Sequence, residues 1–190
     1  MRDFFADKTF SKKDYKNQRL PKGDYENCVF EDCQFQEGYL DNQHFTECQF
    51  LNCDLTNTNI AHTQFNQVVF EECKLVGIQF ETCDLLLSTF HFKGCNLSLS
   101  SFYEMDLSNT IFNACKLHKV DFTLTNLSGI RFDECDFKDA LFENSNLEKA
   151  DLTTSYNFNI DPSQNKIKKT KFKESGLIGL LKKYDIVVAH

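Results

Sequence analysis

The sequence predicts an all-β fold, a right-handed, four-sided parallel β-helix, and three observations predict it. Large apolar residues recur at every fifth position: all fourteen such positions from Tyr25 to Phe90 and, after the frame slips by two, all thirteen from Phe92 to Leu152. The residue two before most of them is small, with Cys, Thr, Ser, Val and Ala predominating and exceptions such as Gln43, Ile78 and Met105. The other three places of each five hold mostly Asn, Asp, Glu, Thr, Ser and Lys.

A period of five fits neither the 3.6 of an α-helix nor the 2 of a simple strand. It requires a backbone that turns a corner every five residues, so that four corners close a coil of 20. Stacked coils then pair their backbones at about 4.8 Å. Each coil buries its large side chains only against its neighbours, which is the logic of a solenoid. Fifteen of the 20 phenylalanines lie on this comb of apolar positions, so the interior is expected to be a shaft of phenyl rings.

The elements follow in chain order. Residues 1–24 keep Phe5, Phe10, Tyr15 and Leu20 in frame, but Lys8, Lys13 and Gln18 stand where small residues belong. This reads as a degenerate first coil or cap, closed by a turn at Pro21-Lys22-Gly23; solenoid ends need polar caps against end-to-end stacking. Residues 25–156 form the β-helix proper. The register slip at 90–92, Phe90-His91-Phe92, is a bulge, a kink or a small loop, and the axis is expected to continue through it. Residues 157–190 form a C-terminal cap. In it Asn159-Ile160-Asp161-Pro162 is a turn, Lys166 to Lys173 a basic stretch, Gly176 to Tyr184 a short amphipathic α-helix and Asp185 to Ala189 a final strand. Leu177, Ile178, Leu180, Leu181, Tyr184 and Ile186 offer more apolar surface than a one-turn cap requires. They pack on the last coil alone or on the same element of a second copy, as a homodimer interface.

All nine cysteines occupy the small inward position, and six of them form one column: Cys33, Cys53, Cys73, Cys95, Cys115 and Cys135. They read as small hydrophobes in a reducing compartment. Parallel rungs without CxxC pairs do not converge on one ion, and an odd count pointing inward disfavours disulfides. No metal or other cofactor is expected.

The charge is segregated. Residues 22–156 hold 22 acidic and 8 basic side chains, residues 1–21 hold 3 and 6, and residues 157–190 hold 3 and 7. The result is a rod with negative walls and basic ends. The formal charge of −7 argues against a phosphate-binding surface, so no direct nucleic-acid binding is expected. Outward pairs on one face, Glu31-Asp32, Glu71-Glu72 and Asp133-Glu134, are the candidate partner-binding residues; they are equally read as a solubilising wall. Catalysis is not expected: general acid–base chemistry needs groups converging in a pocket, the five histidines show no ligand spacing, and no P-loop, GxSxG or HExxH is present. No run approaches the ~18 apolar residues of a membrane span, and the charged N-terminus lacks a signal-peptide core, so a cytoplasmic location without membrane attachment is expected.

Ser145-Asn146-Leu147-Glu148-Lys149-Ala150-Asp151-Leu152 and Asn27-Cys28-Val29-Phe30-Glu31-Asp32-Cys33-Gln34-Phe35 resemble the pentapeptide-repeat family over residues 25–152. The segment from Ile160-Asp161-Pro162 through Gly176 to Val188 resembles the C-terminal end of the Qnr-like branch. That resemblance implies a dimer joined through this element, a rod that mimics B-DNA in size and charge, binding to DNA gyrase and topoisomerase IV, and protection of these enzymes from quinolones. A structural or scaffolding repeat protein with an unrelated partner is the alternative. About seven coils at ~4.8 Å give a rod of about 33 Å per subunit.

Overall fold

The computed structural model describes residues 2–86 and 88–187, which wind into a four-sided parallel coil. On face 1, β1 (Asp3–Ala6), β3 (Gly23–Glu26), β5 (His44–Thr46) and β7 (Gln64–Asn66) pair in the order β1-β3-β5-β7. On face 2, β2 (Thr9–Ser11), β4 (Val29–Glu31), β6 (Gln49–Leu51), β8 (Val68–Glu71), β9 (Phe90–Lys93), β10 (Ile111–Asn113) and β11 (Phe132–Asp133) stack in one seven-stranded parallel sheet. Face 3 (comb residues Phe35, Leu55, Leu75, Leu97, Leu117, Phe137) and face 4 (Leu40, Ile60, Phe80, Phe102, Phe122, Phe142) are held by single parallel bridges such as Asp54↔Lys74 and Ser101↔Asp121.

The corner has a simple chemistry. The second residue after most comb residues adopts the left-handed conformation, with φ of 50–63° where it is not glycine. On faces 3 and 4 the N–H of the third residue then donates to the comb carbonyl, as Gly38 does to Phe35 O at 2.8 Å and Thr125 to Phe122 O at 3.1 Å. That combination is a type II turn, which favours Gly or Asn at the left-handed place. It explains why Asn42 and Asn57 stand there, where Gln43 N and Thr58 N donate to Leu40 O and Leu55 O.

The small residue also has a polar task. Its thiol, hydroxyl or amide donates to the comb carbonyl one coil earlier: Cys33 Sγ to Phe10 O at 3.2 Å, Thr125 Oγ1 to Phe102 O at 2.8 Å, Ser145 Oγ to Phe122 O at 2.8 Å. Cys, Thr and Ser therefore suit the place because each is small and carries a donor. Thr125→Val keeps the volume and removes the donor from a fully buried site. It should lower the unfolding free energy by about 1–2 kcal/mol in urea titration; an unchanged midpoint would mean the carbonyl is satisfied without it.

The interior is a shaft of rings. On face 2, Phe10, Phe30, Phe50, Phe70, Phe92, Phe112 and Phe132 follow one another at centroid separations of 4.7–5.5 Å. At the N-terminal end, Lys8 lies over the Phe5 ring at 5.0 Å. Phe5, Phe10 and Tyr15 are only partly covered there.

Three expectations are corrected. First, the two extra residues lie before Phe90, within 85–89, not at 90–92: Gln64 still bridges Asp84, whereas Val68 pairs with Phe90 and Phe70 with Phe92. Leu85, on the comb by count, is 44% exposed. Phe90 takes a small-residue place opposite Val68, and its ring packs against Phe65 and Phe80 in the space Leu85 vacates. The result is a small loop; Ser88 Oγ and Thr89 Oγ1 accept from Phe65 N and Gln67 N in place of ladder carbonyls.

Second, the coil does not end near 156. Asn146 bridges Lys166, and β12 (Asp151–Leu152) pairs with β13 (Lys171–Phe172). Asn165 Nδ2 and Thr170 Oγ1 donate to Phe142 O and Leu147 O as other small residues do.

Third, the C-terminal element winds as 3-10 turns, Glu174–Leu180 and Lys182–Tyr184, not as an α-helix. It lies tight on the last coil: a Cβ at Gly179 would stand 2.4 Å from Phe158 O, and one at Gly176 would stand 2.8 Å from the Phe158 ring. Gly179 O accepts from Ile160 N. The strand expected over Asp185–Ala189 does not form through Val187: Asp185 is left-handed at φ 50°, and among the described residues no strand pairs with Ile186 or Val187. Residues 188–190 lie outside the described residues.

Candidate functional site

The outer walls carry what the coil offers to other molecules, and the four faces differ in charge. Glu31-Asp32, Glu71-Glu72 and Asp133-Glu134 fall in one column at the outer edge of face 2, since β4, β8 and β11 share a sheet and register. The structure pairs two of the six with cations. Lys93 Nζ lies 2.6 Å from Glu71 Oε1, and Arg131 Nε lies 2.7 Å from Asp133 Oδ1. Asp32 accepts from Asn52 Nδ2 at 2.5 Å. The column is partly neutralised, and Lys93-Gly94 and Asn113-Ala114 interrupt it.

Face 3 is balanced. Lys74 meets Asp54 at 3.5 Å, and His118 Nε2 meets Asp136 Oδ2 at 2.7 Å. Burial would raise the Asp136 carboxyl, but hydrogen bonds from His118 and Asn157 hold it below the usual carboxylate range.

Face 4 is different. Its blocks 38–42, 58–62, 78–82, 100–104, 120–124 and 140–144 contain Asp41, Glu81, Glu104, Asp121 and Glu143 and no Lys or Arg. Arg19 of the first coil reaches Asp41 at 3.7 Å. Among the described residues the other four carboxylates have no ion pair. Acidic doublets point to face 2 in the sequence, but from 38 to 144 face 4 carries its acids singly, at most one per coil, with no Lys or Arg beside them. The signal that finds it is the missing Lys and Arg at 20-residue spacing.

The six C-terminal candidates divide. Leu180 is half-buried against the core and Leu181 half-buried beside it, while Leu177, Ile178, Tyr184 and Ile186 are exposed. One turn against the last coil thus leaves most of the apolar surface uncovered. An open depression of about 650 Å³ lies beside it, bordered by Glu134, Tyr156, Lys173 and Lys182. Its Ser155 hydroxyl is engaged with Phe132 O and Cys135 N.

The nine thiols are buried and free. Burial pushes Cys48 up to about 12 and raises Cys83. No helix among the described residues is long and apolar enough to cross a membrane.

The closed 20-residue coil has counterparts among solved structures. A trypsin-treated variant of QnrB1, a plasmid-mediated fluoroquinolone resistance protein, superposes with a TM-score of 0.56 at 17% identity, covering 98% of this chain and 100% of that one. Full-length QnrB1 gives 0.56 at 16% identity, over 97% and 100%. HetL, involved in heterocyst differentiation regulation in Nostoc sp. strain PCC 7120, gives 0.43 at 13%, over 90% and 86%. No curated protein matches the sequence. Family profiles match it directly: "Pentapeptide repeats (8 copies)" over residues 26–60 and 48–85, and "Pentapeptide repeat region" over residues 86–179. A five-residue period whose corners, ring shaft and donor-bearing small residues all recur in the structure, matched by these profiles from 26 to 179, places the chain in the pentapeptide-repeat family.

Proposed function

We propose that this chain is a DNA-mimicking partner of type II topoisomerases, binding DNA gyrase or topoisomerase IV in place of duplex DNA and protecting it from quinolones. The observation that carries the reading is the charge of the walls. Residues 22–156 carry a net −14 over about 33 Å of rod, where duplex DNA of that length carries about 20 charges. A rod with about two-thirds of that charge competes for a basic DNA-binding saddle and is steered there electrostatically. The shared fold with QnrB1 over nearly the whole of both chains supports the same reading.

The C-terminal patch completes it. Leu177, Ile178, Tyr184 and Ile186 suit a two-fold contact with a second copy. With more than eight coils from β1 to β13, that dimer is about 80 Å long at ~4.8 Å per coil. Leu177→Asp, on an exposed side chain, should convert a dimer to a monomer in sedimentation velocity; a monomeric wild type refutes the dimer.

Expression in a quinolone-sensitive bacterium should raise the drug concentration it survives, and purified protein should change gyrase supercoiling at that drug concentration. No effect in either assay over a wide concentration range removes the proposal. Retention of an unrelated protein, with gyrase absent from the bound fraction, favours a scaffolding role.

A further inference from the structure

We infer that face 4 with its two bordering corners is the surface that meets the partner, and that its occupant is a cationic protein surface with apolar sockets. This rests on the reading of the chain as a partner-binding rod and assigns the contact to one face.

The first observation is backbone strain at exposed leucines. Leu99 and Leu124 hold the left-handed corner place, with φ of 63° and 59°. This conformation is disfavoured for L-residues, and most of all for bulky ones. Other corners use Asn, Asp, Glu, Lys, Gln, His, Ala or Gly there. Both leucines also point into solvent, 60% and 43% exposed. The chain bears conformational strain and apolar exposure together at two sites, and both border face 4. Strain of this kind gathers where a surface has work to do.

The second observation is what surrounds them. Tyr103 and Leu141 are exposed on face 4 itself, and Leu85 and Leu86 project from the loop at its edge beside face 1. The carboxylates among them are Glu81, Glu104, Asp121 and Glu143, and Lys119 is the single cation on the bordering corners between 37 and 144. One oxygen of Glu81 is covered and accepts no hydrogen bond among the described residues. Unpaired acids alone solubilise; unpaired acids interleaved with exposed Leu and Tyr describe the complement of a basic surface with apolar contacts. Face 2, where Lys93 and Arg131 pair with two of its acids, exposes Ile111 but has no leucine at a left-handed corner.

Full-length L99N/L124N tests this, with Ala114→Asn, a left-handed corner bordering faces 2 and 3, as control. Asn tolerates the left-handed place, so both variants should melt at or above the wild-type temperature. The double variant should bind gyrase about tenfold more weakly or worse, and A114N should bind as wild type does. Wild-type binding by L99N/L124N overturns the inference while leaving the topoisomerase reading intact. Wild-type chain that does not bind gyrase ends the topoisomerase reading alone. The surface is then read from the NMR footprint of a short Lys/Leu amphipathic peptide on the labelled chain. Shifts confined to face 4 and its corners support the inference, and shifts spread over all four faces overturn it.

Discussion

Phe102→Ala lowers the unfolding free energy of this chain by about 4 kcal/mol. The ring is fully buried. It stacks on Phe80 at 4.6 Å and Phe122 at 5.5 Å and meets Phe92 and Phe112 edge-on at 6.1 and 5.8 Å. Its removal leaves a cavity spanning three coils, and the coil cannot collapse into it because the backbone ladders fix the coil spacing. Phe102→Leu should cost less, about 1–2 kcal/mol, since Leu already fills comb places on faces 1 and 3 (Leu97, Leu107, Leu117, Leu127). Urea unfolding followed by far-UV circular dichroism measures both. A loss under about 1 kcal/mol for the alanine variant would mean that the shaft is not packed as described.

Raising the pH should unfold the protein. Burial holds the Cys48 thiol at about 12 and raises that of Cys83, whereas an exposed thiol ionises near 8.5. The folded pKa lies above the unfolded one, so the stabilisation is fully present below about pH 8.5 and is lost as pH rises toward 12. At pH 10 each such thiol removes about 2 kcal/mol, a large part of the stability of an ordinary domain. Tyr15, raised by burial to about 12, adds to the fall above pH 10. Urea midpoints from pH 7 to 10.5 should therefore drop steeply, and Cys48→Ser should reduce the slope. A thiol-reactive disulfide reagent should leave the native protein unmodified at neutral pH and label nine cysteines once it is unfolded. Level stability across that range, or rapid labelling of the native state, would contradict the buried-thiol account.

Much of this architecture was legible because a solenoid writes its geometry into its period. The five-residue comb gave the corners, the shaft and the shared column of Glu31, Glu71 and Asp133. Two further features were present in the sequence but need more than the comb to read. Ile167 and Phe172 stand 20 after Leu147 and Leu152, with Asn165 and Thr170 two before them, so the coil continues through a stretch whose lysines obscure it. Phe90-His91-Phe92 alternates with period two, the mark of a strand with two inward rings, which moves the extra residues upstream to Leu85 and Leu86.

Other features depend on contacts the sequence does not display. The C-terminal turns are wound by the fit of Gly176 and Gly179 to Phe158, not by helix propensity. For some carboxylates neutralisation depends on a neighbour about one coil away, such as Lys93 for Glu71 at 22 residues' separation. The pairing of Glu71 on face 2 therefore shows only once the coils are stacked.

Competition with DNA for gyrase tests the central claim most directly. With a fluorescent duplex bound to the enzyme, added protein should displace it, and the protein's own affinity should fall as salt rises, as for any contact between an acidic rod and a basic groove. Protein that binds gyrase while the duplex stays fully bound, with an affinity indifferent to salt, would contradict it.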